Sequence, residues 1–344
     1  MFRLMFLVAA YFVFAYPILR CLDWLTGDTV LAVMTSSVAW LVGIVGMRYS
    51  FNGPNMRVRY VVVHWLGAGF ILASATLIAE VVRLLTVYSD RDIATGTLLG
   101  AGVVTIFSIL MSHHISVRQV EVFSGKVTRP WRVVQLSDVH IGSRQGGFME
   151  RIIRPIQGLQ PDFVAITGDL IDSSAVDIEA LQSLDQLKMP VYFVIGNHER
   201  YADLDKMMDM SRKLGMRTLR QQSETLEEFC ITGIDDAEDR GQVSRELPKI
   251  DRDREKFNIL LYHRPVGWEA ALEHEIDLML SGHTHKGQIF PFNLMVRQQF
   301  NRIHGLYRKR NRFLYVSPGT GTWGPLMRLG SFNEISVFNI RPTG

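Results

Sequence analysis

The sequence predicts two parts: an N-terminal region of four transmembrane helices and a C-terminal α/β domain. Charge is divided unevenly between them, because residues 1–115 of the 344-residue chain hold only 7 Arg, no Lys and 5 Asp or Glu. Long apolar runs fill this first part, whereas short β-branched runs alternate with helical stretches in the second part. Each part is long enough to form a core of its own.

The first part contains four apolar runs, each close to the ~20 residues that a helix needs to cross about 30 Å of hydrocarbon. We therefore predict a four-span membrane anchor over residues 1–115. A cleaved signal peptide is the alternative for the first run, but three more runs follow it and no small-residue cleavage site is convincing. The runs are Leu4–Leu19, Thr29–Met47, Tyr60–Ala79 and Ile93–Ile115.

Basic residues in the connecting loops predict the orientation of the anchor. Arg48, Arg57 and Arg59 lie between the second and third runs, and positively charged loops stay on the cytoplasmic side of a membrane. Two further crossings return the chain to that same side. The second part is therefore predicted to face the cytoplasm from the inner membrane.

Several function classes are disfavoured by composition. The runs contain few polar residues. We interpret His64 as a packing group and Glu80 with Arg83, three residues apart, as an ion pair at the end of a helix, so a transporter is disfavoured. A net charge of +3 is too small to indicate a nucleic-acid partner. The two cysteines, Cys21 and Cys230, exclude a disulfide framework.

A polar connection is predicted at residues 116–130, and the α/β domain at residues 131–344. The connection ends at Pro130, which would stop a helix. Alternating β-rich and helical stretches then indicate a sheet covered by helices. The β-rich runs are Val133–Ser137, Phe163–Thr167, Val191–Ile195, Asn258–Tyr262, Leu278–Ser281 and Phe313–Ser317.

Metal-ligand side chains follow five of these runs at the point where each strand would end. Because the carboxyl ends of strands in α/β sheets converge on one crevice, we expect these side chains to meet. A mixture of imidazole, carboxylate and amide without thiolate suits Zn, Fe or Mn. The candidate ligands are Asp138, His140, Asp169, Asn197, His263, His283 and His285.

Seven candidate ligands exceed what one ion usually takes from a protein, so two divalent ions are predicted. Two ions about 3.5–4 Å apart form an arrangement used for phosphate ester cleavage. A single Gly-Asp or Asp-x-His is ordinary turn chemistry. Five such turns in order, each after a β-rich run, favour a functional site.

These motifs resemble, in order, the five blocks of the calcineurin-like metallophosphoesterase superfamily. That resemblance implies a two-sheet sandwich flanked by helices. The tail from Tyr315 to Pro325 and the run Gly287-Gln288-Ile289 resemble more narrowly a bacterial membrane-anchored branch of phosphodiesterases and UDP-2,3-diacylglucosamine pyrophosphohydrolases. The five blocks are Asp138-x-His140, Gly168-Asp169, Gly196-Asn197-His198-Glu199, His263 and Gly282-His283-Thr284-His285.

The resemblance also implies a role for each matched residue. Asp169 would bridge the two ions, and His198 would act on the substrate by stabilising charge or protonating the leaving oxygen. The implied ligands of the first ion are Asp138, His140 and His285. Those of the second ion are Asn197, His263 and His283.

Four further polar residues stand next to the matched blocks. Arg200 and Arg264 follow ligand blocks and are either bidentate phosphate ligands or ordinary loop arginines. Lys286 stands where the branch often has a small residue, and it would either reach a substrate phosphate or narrow the pocket. Asp172 would orient a histidine or begin a helix, and we slightly favour the helix start.

Residues 286–312 contain seven Lys or Arg and no acidic residue, together with many apolar residues. We interpret this segment as a flap that rests on an anionic membrane surface, to which each cation would contribute about 1 kcal/mol. The alternative is a solvated insertion with a small core of its own.

Together these features predict a membrane-anchored phosphohydrolase with two divalent metal ions. It would cleave a phosphodiester or pyrophosphate bond of a lipid-linked, UDP-2,3-diacylglucosamine-like substrate at the cytoplasmic membrane face. Its expected partners are the lipid bilayer and a phosphorylated or nucleotide-linked lipid. A general phosphodiesterase or phospholipid headgroup hydrolase is the alternative enzyme, and a metal-binding receptor or scaffold is a weaker alternative because it has no need for His198.

Overall fold

The structure is a computed structural model that describes residues 2–52, 55–144 and 147–343, and it divides the chain into two compact units. One unit contains the chain up to Met111 together with Gly324–Leu329. The other contains Ser112–Trp323 and Gly330–Gly344. The first boundary lies four residues before the predicted end of the anchor. The sequence did not predict that the chain returns to the first unit at Gly324–Leu329.

The described part of the first unit has four helical stretches long and apolar enough to cross a membrane, and they coincide with the four predicted runs. The first stretch consists of α1 (Phe2–Ala10), a π-helical segment (Tyr11–Ala15) and α2 (Tyr16–Thr26). The others are α3 (Thr29–Asn52), α4 (Met56–Leu85) and α5 (Asp90–His113). Their apolar surfaces are largely exposed, as expected of helices that face lipid.

Two ion pairs connect helices of this unit. Glu80 does not pair with Arg83, three residues further along α4, as its position suggested. Instead Glu80 accepts hydrogen bonds from Arg20 of α2, with 3.2 Å between Oε2 and Nη2, and Arg83 pairs with Asp90 of α5 at 2.6 Å. Paired charges of this kind support packing and give no sign of an ion path.

His64 of α4 is a packing group, as interpreted from the sequence. Its Nδ1 lies 2.7 Å from the carbonyl oxygen of Tyr60, and its Nε2 accepts a hydrogen bond from the Leu326 N–H at 3.1 Å. The ring is therefore a neutral tautomer that donates through Nδ1. This bond holds the 324–329 segment within the helical unit.

The second unit contains two six-stranded sheets, which confirms the two-sheet α/β prediction. The first sheet has the order β1-β12-β2-β3-β4-β5 and the second has the order β10-β11-β9-β8-β7-β6. The strands of the first sheet are β1 (Ile115–Ser124), β2 (Trp131–Leu136), β3 (Phe163–Ile166), β4 (Val191–Phe193), β5 (Arg217–Thr218) and β12 (Asn333–Pro342). Those of the second are β6 (Gln222–Leu226), β7 (Phe229–Ile234), β8 (Phe257–Tyr262), β9 (Leu278–Ser281), β10 (Gly305–Lys309) and β11 (Arg312–Val316).

Helices cover the outer faces of both sheets, and the main core lies between the sheets. Phe163 of β3 and Phe229 of β7 are fully buried members of that core, with rings 5.5 Å apart. A second core packs the first sheet against helices, and a third packs the second sheet against helices. The helices of this unit are α6 (Phe148–Leu159), α7 (Asn197–Tyr201), α8 (Leu204–Lys213), α9 (Gln242–Glu246), α10 (Trp268–Glu273) and α11 (Phe292–Gln299).

The predicted linker at 116–130 holds a strand. Val120 and Val122 are buried while their neighbours are exposed, a period-two alternation typical of a strand with one buried face. The strand order places β1 at the edge of the first sheet. β1 runs parallel to β12, which is antiparallel to β2. The first residue of β1, Ile115, therefore lies at the same end of the sheet as the last residue of β2.

The basic segment at 286–312 is not one flap. Residues up to 304 form a connection that includes α11, and the remainder forms the antiparallel pair β10–β11 at the edge of the second sheet. β11 is parallel to β9, so the two strands begin at the same end of the sheet. The hairpin tip at Arg310, just before β11, therefore lies at that end, away from the last residue of β9. The exposed helix and the charged tip therefore belong to opposite ends of the sandwich.

Candidate metal centre

The predicted ligands meet because the strands that precede them are parallel. β2, β3 and β4 run parallel in the first sheet, and β8 and β9 run parallel in the second sheet. Their carboxyl ends deliver the side chains to one end of the sandwich, which we call the ligand end. We call the opposite end, where these strands begin, the far end.

The backbone at the ligand end is bent into turns that ordinary residues rarely adopt. A left-handed φ costs of order 1–3 kcal/mol at a non-glycine residue, so the surrounding fold must hold these turns in place. The residues concerned are Asp138 (φ 51°), His140 (55°), Asp169 (54°), His283 (70°) and His285 (47°).

Two glycines allow the ligand turns to approach one another. Gly168 has φ 88°, and a Cβ atom there would lie 2.7 Å from the backbone of Gly196. At Gly282, a Cβ atom would lie 2.1 Å from an Asp138 carboxylate oxygen. Glycine is therefore required at both positions by lack of space, and at Gly168 also by the left-handed φ.

The first group of ligands is Asp138, His140 and His285, whose ligand atoms all lie within 4.8 Å of one another. The His285 Nε2 is 3.3 Å from Asp138 Oδ1 and 3.0 Å from the His140 Nε2. The backbone N–H of His283 donates to both Asp138 oxygens at 2.9 and 3.0 Å, which fixes the carboxylate. This is the set that the family resemblance implies for the first ion.

The second group is Asp169, His263 and His283, again within 4.8 Å. The His263 Nε2 lies 3.1 Å from Asp169 Oδ2 and 3.2 Å from the His283 Nδ1. The His263 Nδ1 lies 2.8 Å from the carbonyl oxygen of Thr167. A proton held on Nδ1 by that carbonyl leaves Nε2 as the atom that can bind a metal.

Asp169 lies between the two groups. Its Oδ2 is 3.1 Å from the His263 Nε2 and 3.9 Å from the His140 Nε2, so one carboxylate reaches a histidine of each group. Its Oδ1 accepts the backbone N–H of His198 at 2.9 Å. This position suits the bridging role that the resemblance implies.

Buried charge at the ligand end is incompletely balanced. Burial raises the pKa of Asp138 to about 6, although the charge of His263 opposes this shift. Burial would also raise the pKa of Asp169, but the nearby histidines, above all His263, hold it well below its usual range. Burial disfavours a cation at His263, yet Asp169 and Asp138 raise its pKa to about 10. Two carboxylates thus face one cationic ring, an environment that favours further positive charge.

Asn197 provides an independent test of whether metal ions fit this site. Its side-chain oxygen is buried and has no hydrogen-bond partner among the described residues. A buried amide oxygen without a partner is costly, and ligation of a cation would satisfy it. Together with the two carboxylates and four imidazoles, the site has the donor set that two divalent ions require.

His198 lies beside both ligand groups. Its ring centroid is 4.8 Å from that of His140, and its ring can reach within 4.8 Å of the ligand atoms of His140 and Asp169. Burial lowers the pKa of His198 and the charge of His263 lowers it further, although Asp169 opposes the shift. The geometry therefore accommodates His198 either as a metal ligand or as a substrate-directed imidazole, and the substrate role stays a prediction.

Glu199 organises the ligand turns, a role that the sequence analysis did not assign. Its buried carboxylate accepts backbone hydrogen bonds from Asp169, Leu170 and Gly196 at 3.0, 2.7 and 2.8 Å. Burial and the adjacent Asp169 raise the pKa of Glu199 to about 7. The signal was present in the sequence, because Glu at the third position of a helix is the mark of a capping box.

Asp172 supports the first ligand group and does not begin a helix, which corrects the use we favoured. Its Oδ2 lies 3.7 Å from the His140 Nδ1, and its Oδ1 accepts the backbone N–H of Ser143 at 2.9 Å. The next helical segment begins only at Ile178. A carboxylate behind a ligating histidine fixes the orientation of its ring.

The three cations suggested as phosphate ligands have different surroundings. Arg264 pairs with the buried Asp236 at 2.9 Å, and Arg200 lies 3.6 Å from the buried Asp235. Both guanidinium groups are therefore already engaged by carboxylates. Lys286 follows His285 in a left-handed turn and forms no ion pair within the described part of the chain.

Trp323 is a further residue at the site that sequence analysis did not single out. Its ring centroid is 5.7 Å from that of His198. Its backbone is held by Gln288, which accepts the Trp323 N–H at 3.1 Å and donates to the Trp323 carbonyl at 2.9 Å. An exposed indole next to His198 is a candidate contact for an organic group on a substrate.

Comparison with known proteins agrees with this geometry. A profile of the calcineurin-like phosphoesterase family matches residues 132–287. An uncharacterized metallophosphoesterase of Campylobacter jejuni is 35% identical over 257 residues, covering 70% of this chain and 68% of that protein. One from Aquifex aeolicus is 32% identical and covers 62% of this chain and 86% of that protein.

A transmembrane protein with a metallophosphoesterase domain from Danio rerio is 36% identical, over 60% of this chain and 52% of that protein. The match therefore spans only about half the length of that relative. Among solved structures, the phosphopantetheinyl hydrolase of Mycobacterium tuberculosis is similar with a TM-score of 0.37 and 13% identity, covering 56% of this chain and 89% of that chain.

Proposed function

Because the chain belongs to the calcineurin-like metallophosphoesterase family, we propose that it is a membrane-anchored phosphohydrolase that cleaves a phosphodiester or pyrophosphate bond of a lipid-linked substrate. A UDP-2,3-diacylglucosamine-like pyrophosphate is the leading substrate. The proposed ligands are Asp138, His140 and His285 for one ion, and Asn197, His263 and His283 for the other, with Asp169 between them.

The main support for a lipid-linked substrate is the position of the start of β1 in the first sheet. α5 ends at His113 and β1 begins at Ile115, two residues later. Through its pairing with β12, the start of β1 lies at the ligand end. The chain therefore passes from the fourth candidate span directly into the strand that starts at the ligand end, and this short connection supports a substrate drawn from the membrane.

The chemistry supplied at this site by two divalent ions is activation of water and neutralisation of the phosphate oxygens. The protein's own contribution is to fix the ligands and to position His198. Asp169 holds the backbone of His198 through the 2.9 Å hydrogen bond from its N–H. The half-buried His198 ring has a lowered pKa and is neutral near pH 7, a form that can donate an N–H hydrogen bond to the leaving oxygen.

Apolar residues near the ligand end add support. The connection from 286 to 304 leaves the end of β9 and returns to the start of β10, and both of these points lie at the ligand end. α11 within this connection has no buried residue. Phe290, Phe292, Leu294 and Met295 are exposed there, and a cluster of this kind is typical of a membrane or lipid contact.

The experiment that tests the proposal is a turnover assay with full-length protein in detergent. UDP-2,3-diacylglucosamine and bis-p-nitrophenyl phosphate would be supplied with Mn²⁺, beside a chelated sample and an Asp169→Ala variant. Metal-dependent release of nucleotide from the lipid would support the proposal. Turnover of the soluble diester alone would indicate a general phosphodiesterase. Lack of turnover of both substrates would favour a binding module.

We also infer that the catalytic domain faces the cytoplasm of a bacterial inner membrane, since Arg48, Arg57 and Arg59 flank the connection between α3 and α4. Both native cysteines are buried, so a cysteine introduced at the exposed Glu255 provides a clean probe. An impermeant maleimide should label Glu255→Cys only after the cells are opened. Labelling of this cysteine in intact cells would show that the domain faces the opposite side of the membrane.

A further inference from the structure

A cavity of about 430 Å³ lies beside the metal centre, within the second unit. Its wall includes Arg118 from β1, Lys286 from the turn after His285, and His304 and Glu334 from the starts of β10 and β12. None of the predicted metal ligands lines it. The cavity is therefore a separate compartment at the ligand end.

Hydrogen bonds connect the wall of this cavity to the first ligand group. The carbonyl oxygen of Glu334 accepts from the Thr320 hydroxyl at 2.8 Å, and the Thr320 N–H donates to the Ser137 carbonyl at 2.7 Å. The Ser137 hydroxyl in turn donates to Asp138 Oδ2 at 2.6 Å. Lys286, which is also in the wall, directly follows the ligand His285 in the chain. The wall of the cavity is thus joined to the turns that carry Asp138 and His285.

The charge available inside the cavity is positive. The carboxylate of Glu334 is already engaged, since the hydroxyl groups of Tyr315 and Ser336 donate to its Oε1 and His304 lies 3.7 Å from its Oε2. Arg118 and Lys286 form no ion pair with any residue that the structure describes. Two uncommitted cations around a preformed space favour an anion, with phosphate the natural choice for a guanidinium and an ammonium.

The rim of the cavity is apolar. Val117 and Phe332 line it and are 41% and 48% exposed, which is more than a packing role requires. Val117 is also only four residues beyond the end of α5 at His113. A ligand whose anionic group enters the cavity would therefore lay an apolar portion across the rim, near the point where the chain leaves its last membrane span.

We propose that this cavity binds an anionic, phosphate-type group of an amphiphilic substrate, next to the phosphate that is cleaved. The inference rests on the proposed function, because it specifies that the lipid-linked substrate carries a second anionic group beside its scissile bond. Arg118 and Lys286 would bind that group, and Val117 and Phe332 would contact the adjoining apolar chain. Pyrophosphate-linked lipids satisfy this requirement, whereas simple one-phosphate diesters do not.

The test is a binding measurement on full-length, chelator-treated protein in neutral detergent, so that it does not depend on catalysis. The probes are dioctanoyl phosphatidic acid and inorganic phosphate. We expect the lipid to bind at least tenfold more tightly than inorganic phosphate, and Arg118→Gln to weaken lipid binding about tenfold. Phe332→Ser should reduce the advantage of the lipid over inorganic phosphate.

The matched control is Arg154→Gln, which removes an exposed arginine that pairs with Glu150 on α6, away from the cavity. Equal affinities of Arg118→Gln and Arg154→Gln for the lipid would overturn the proposal. Equal affinity of the wild type for lipid and inorganic phosphate would overturn the amphiphile assignment. Absence of lipid turnover in the metal-loaded enzyme, with binding as expected, would instead refute the proposed reaction and leave the cavity assignment standing.

Discussion

The two ends of the sandwich use the same residue types for opposite purposes. At the far end, Asp277 accepts hydrogen bonds from the Lys126 ammonium at 2.9 Å and from the Asn258 N–H at 2.8 Å. Asp162 likewise accepts the Arg132 N–H at 2.7 Å. Each carboxylate there has a permanent donor, and each ties the start of a strand to a neighbouring loop.

At the ligand end, carboxylates face histidines and one another. Asp138 and Asp169 are buried with only His263 as a strong counter-charge, and the turns that carry them have left-handed φ values. Such an arrangement of charge is costly in the free protein, and a bound cation would offset that cost. The difference teaches that burial of an aspartate does not by itself identify a site, whereas burial without a permanent cationic partner does.

The largest effect should come from Asp169→Ala, because this carboxylate contacts histidines of both ligand groups. We expect turnover of bis-p-nitrophenyl phosphate to fall by more than about 1,000-fold, together with loss of bound metal. Activity and metal content per protein would be measured on the same preparation. A variant that kept two ions and normal turnover would remove the distinction between the two ends.

His198→Ala should have the next largest effect, a loss of about 100-fold or more in kcat, the range expected for a proton-transferring group. The metal content should stay at the wild-type level, because the six implied ligands and the bridge remain. His198→Gln provides the matched variant, since it retains size and polarity without an imidazole. Loss of metal from both variants would show that His198 is a ligand.

Much of the ligand end could be predicted from the sequence. The six predicted β-rich runs all contain strands, and six of the seven predicted ligands lie in the two groups, because a parallel strand fixes the position of the residue that follows it. Glu199 could have been found from its capping spacing. The signal for β1, alternation at Val120 and Val122, was also readable.

Other features depend on contacts between distant parts of the chain. Pairing of Arg264 with Asp236 and of Arg200 with Asp235 links residues far apart in sequence, so their neighbours could not be inferred from spacing. The same holds for Trp323 beside His198. The division of the basic segment required the parallel pairing of β11 with β9, which composition does not reveal.

Asp277→Ala at the far end should affect stability and not chemistry. Removal of the carboxylate leaves the buried Asn258 N–H without its acceptor, a loss of about 1–3 kcal/mol in the free energy of unfolding. The melting temperature should fall, while kcat per folded molecule and metal content should not change. A fall in metal content at constant stability would show that the two ends are coupled.

The smallest effect on turnover is expected from exposed residues that contact lipid. We expect such contact at the ligand end and not at the far end. Leu294→Ser with Met295→Ser removes exposed apolar side chains of α11, in the connection that starts and finishes at the ligand end, and should lower the ratio of lipid to soluble-diester turnover several-fold. The matched comparison neutralises three cations at the far-end hairpin tip, Arg308, Lys309 and Arg310. This change should alter the ratio less than twofold, because a surface cation contributes about 1 kcal/mol only where it lies close to anionic lipid. The ratio would be measured in vesicles that contain anionic lipid. A larger loss from the hairpin than from α11 would show that the far end contacts the bilayer.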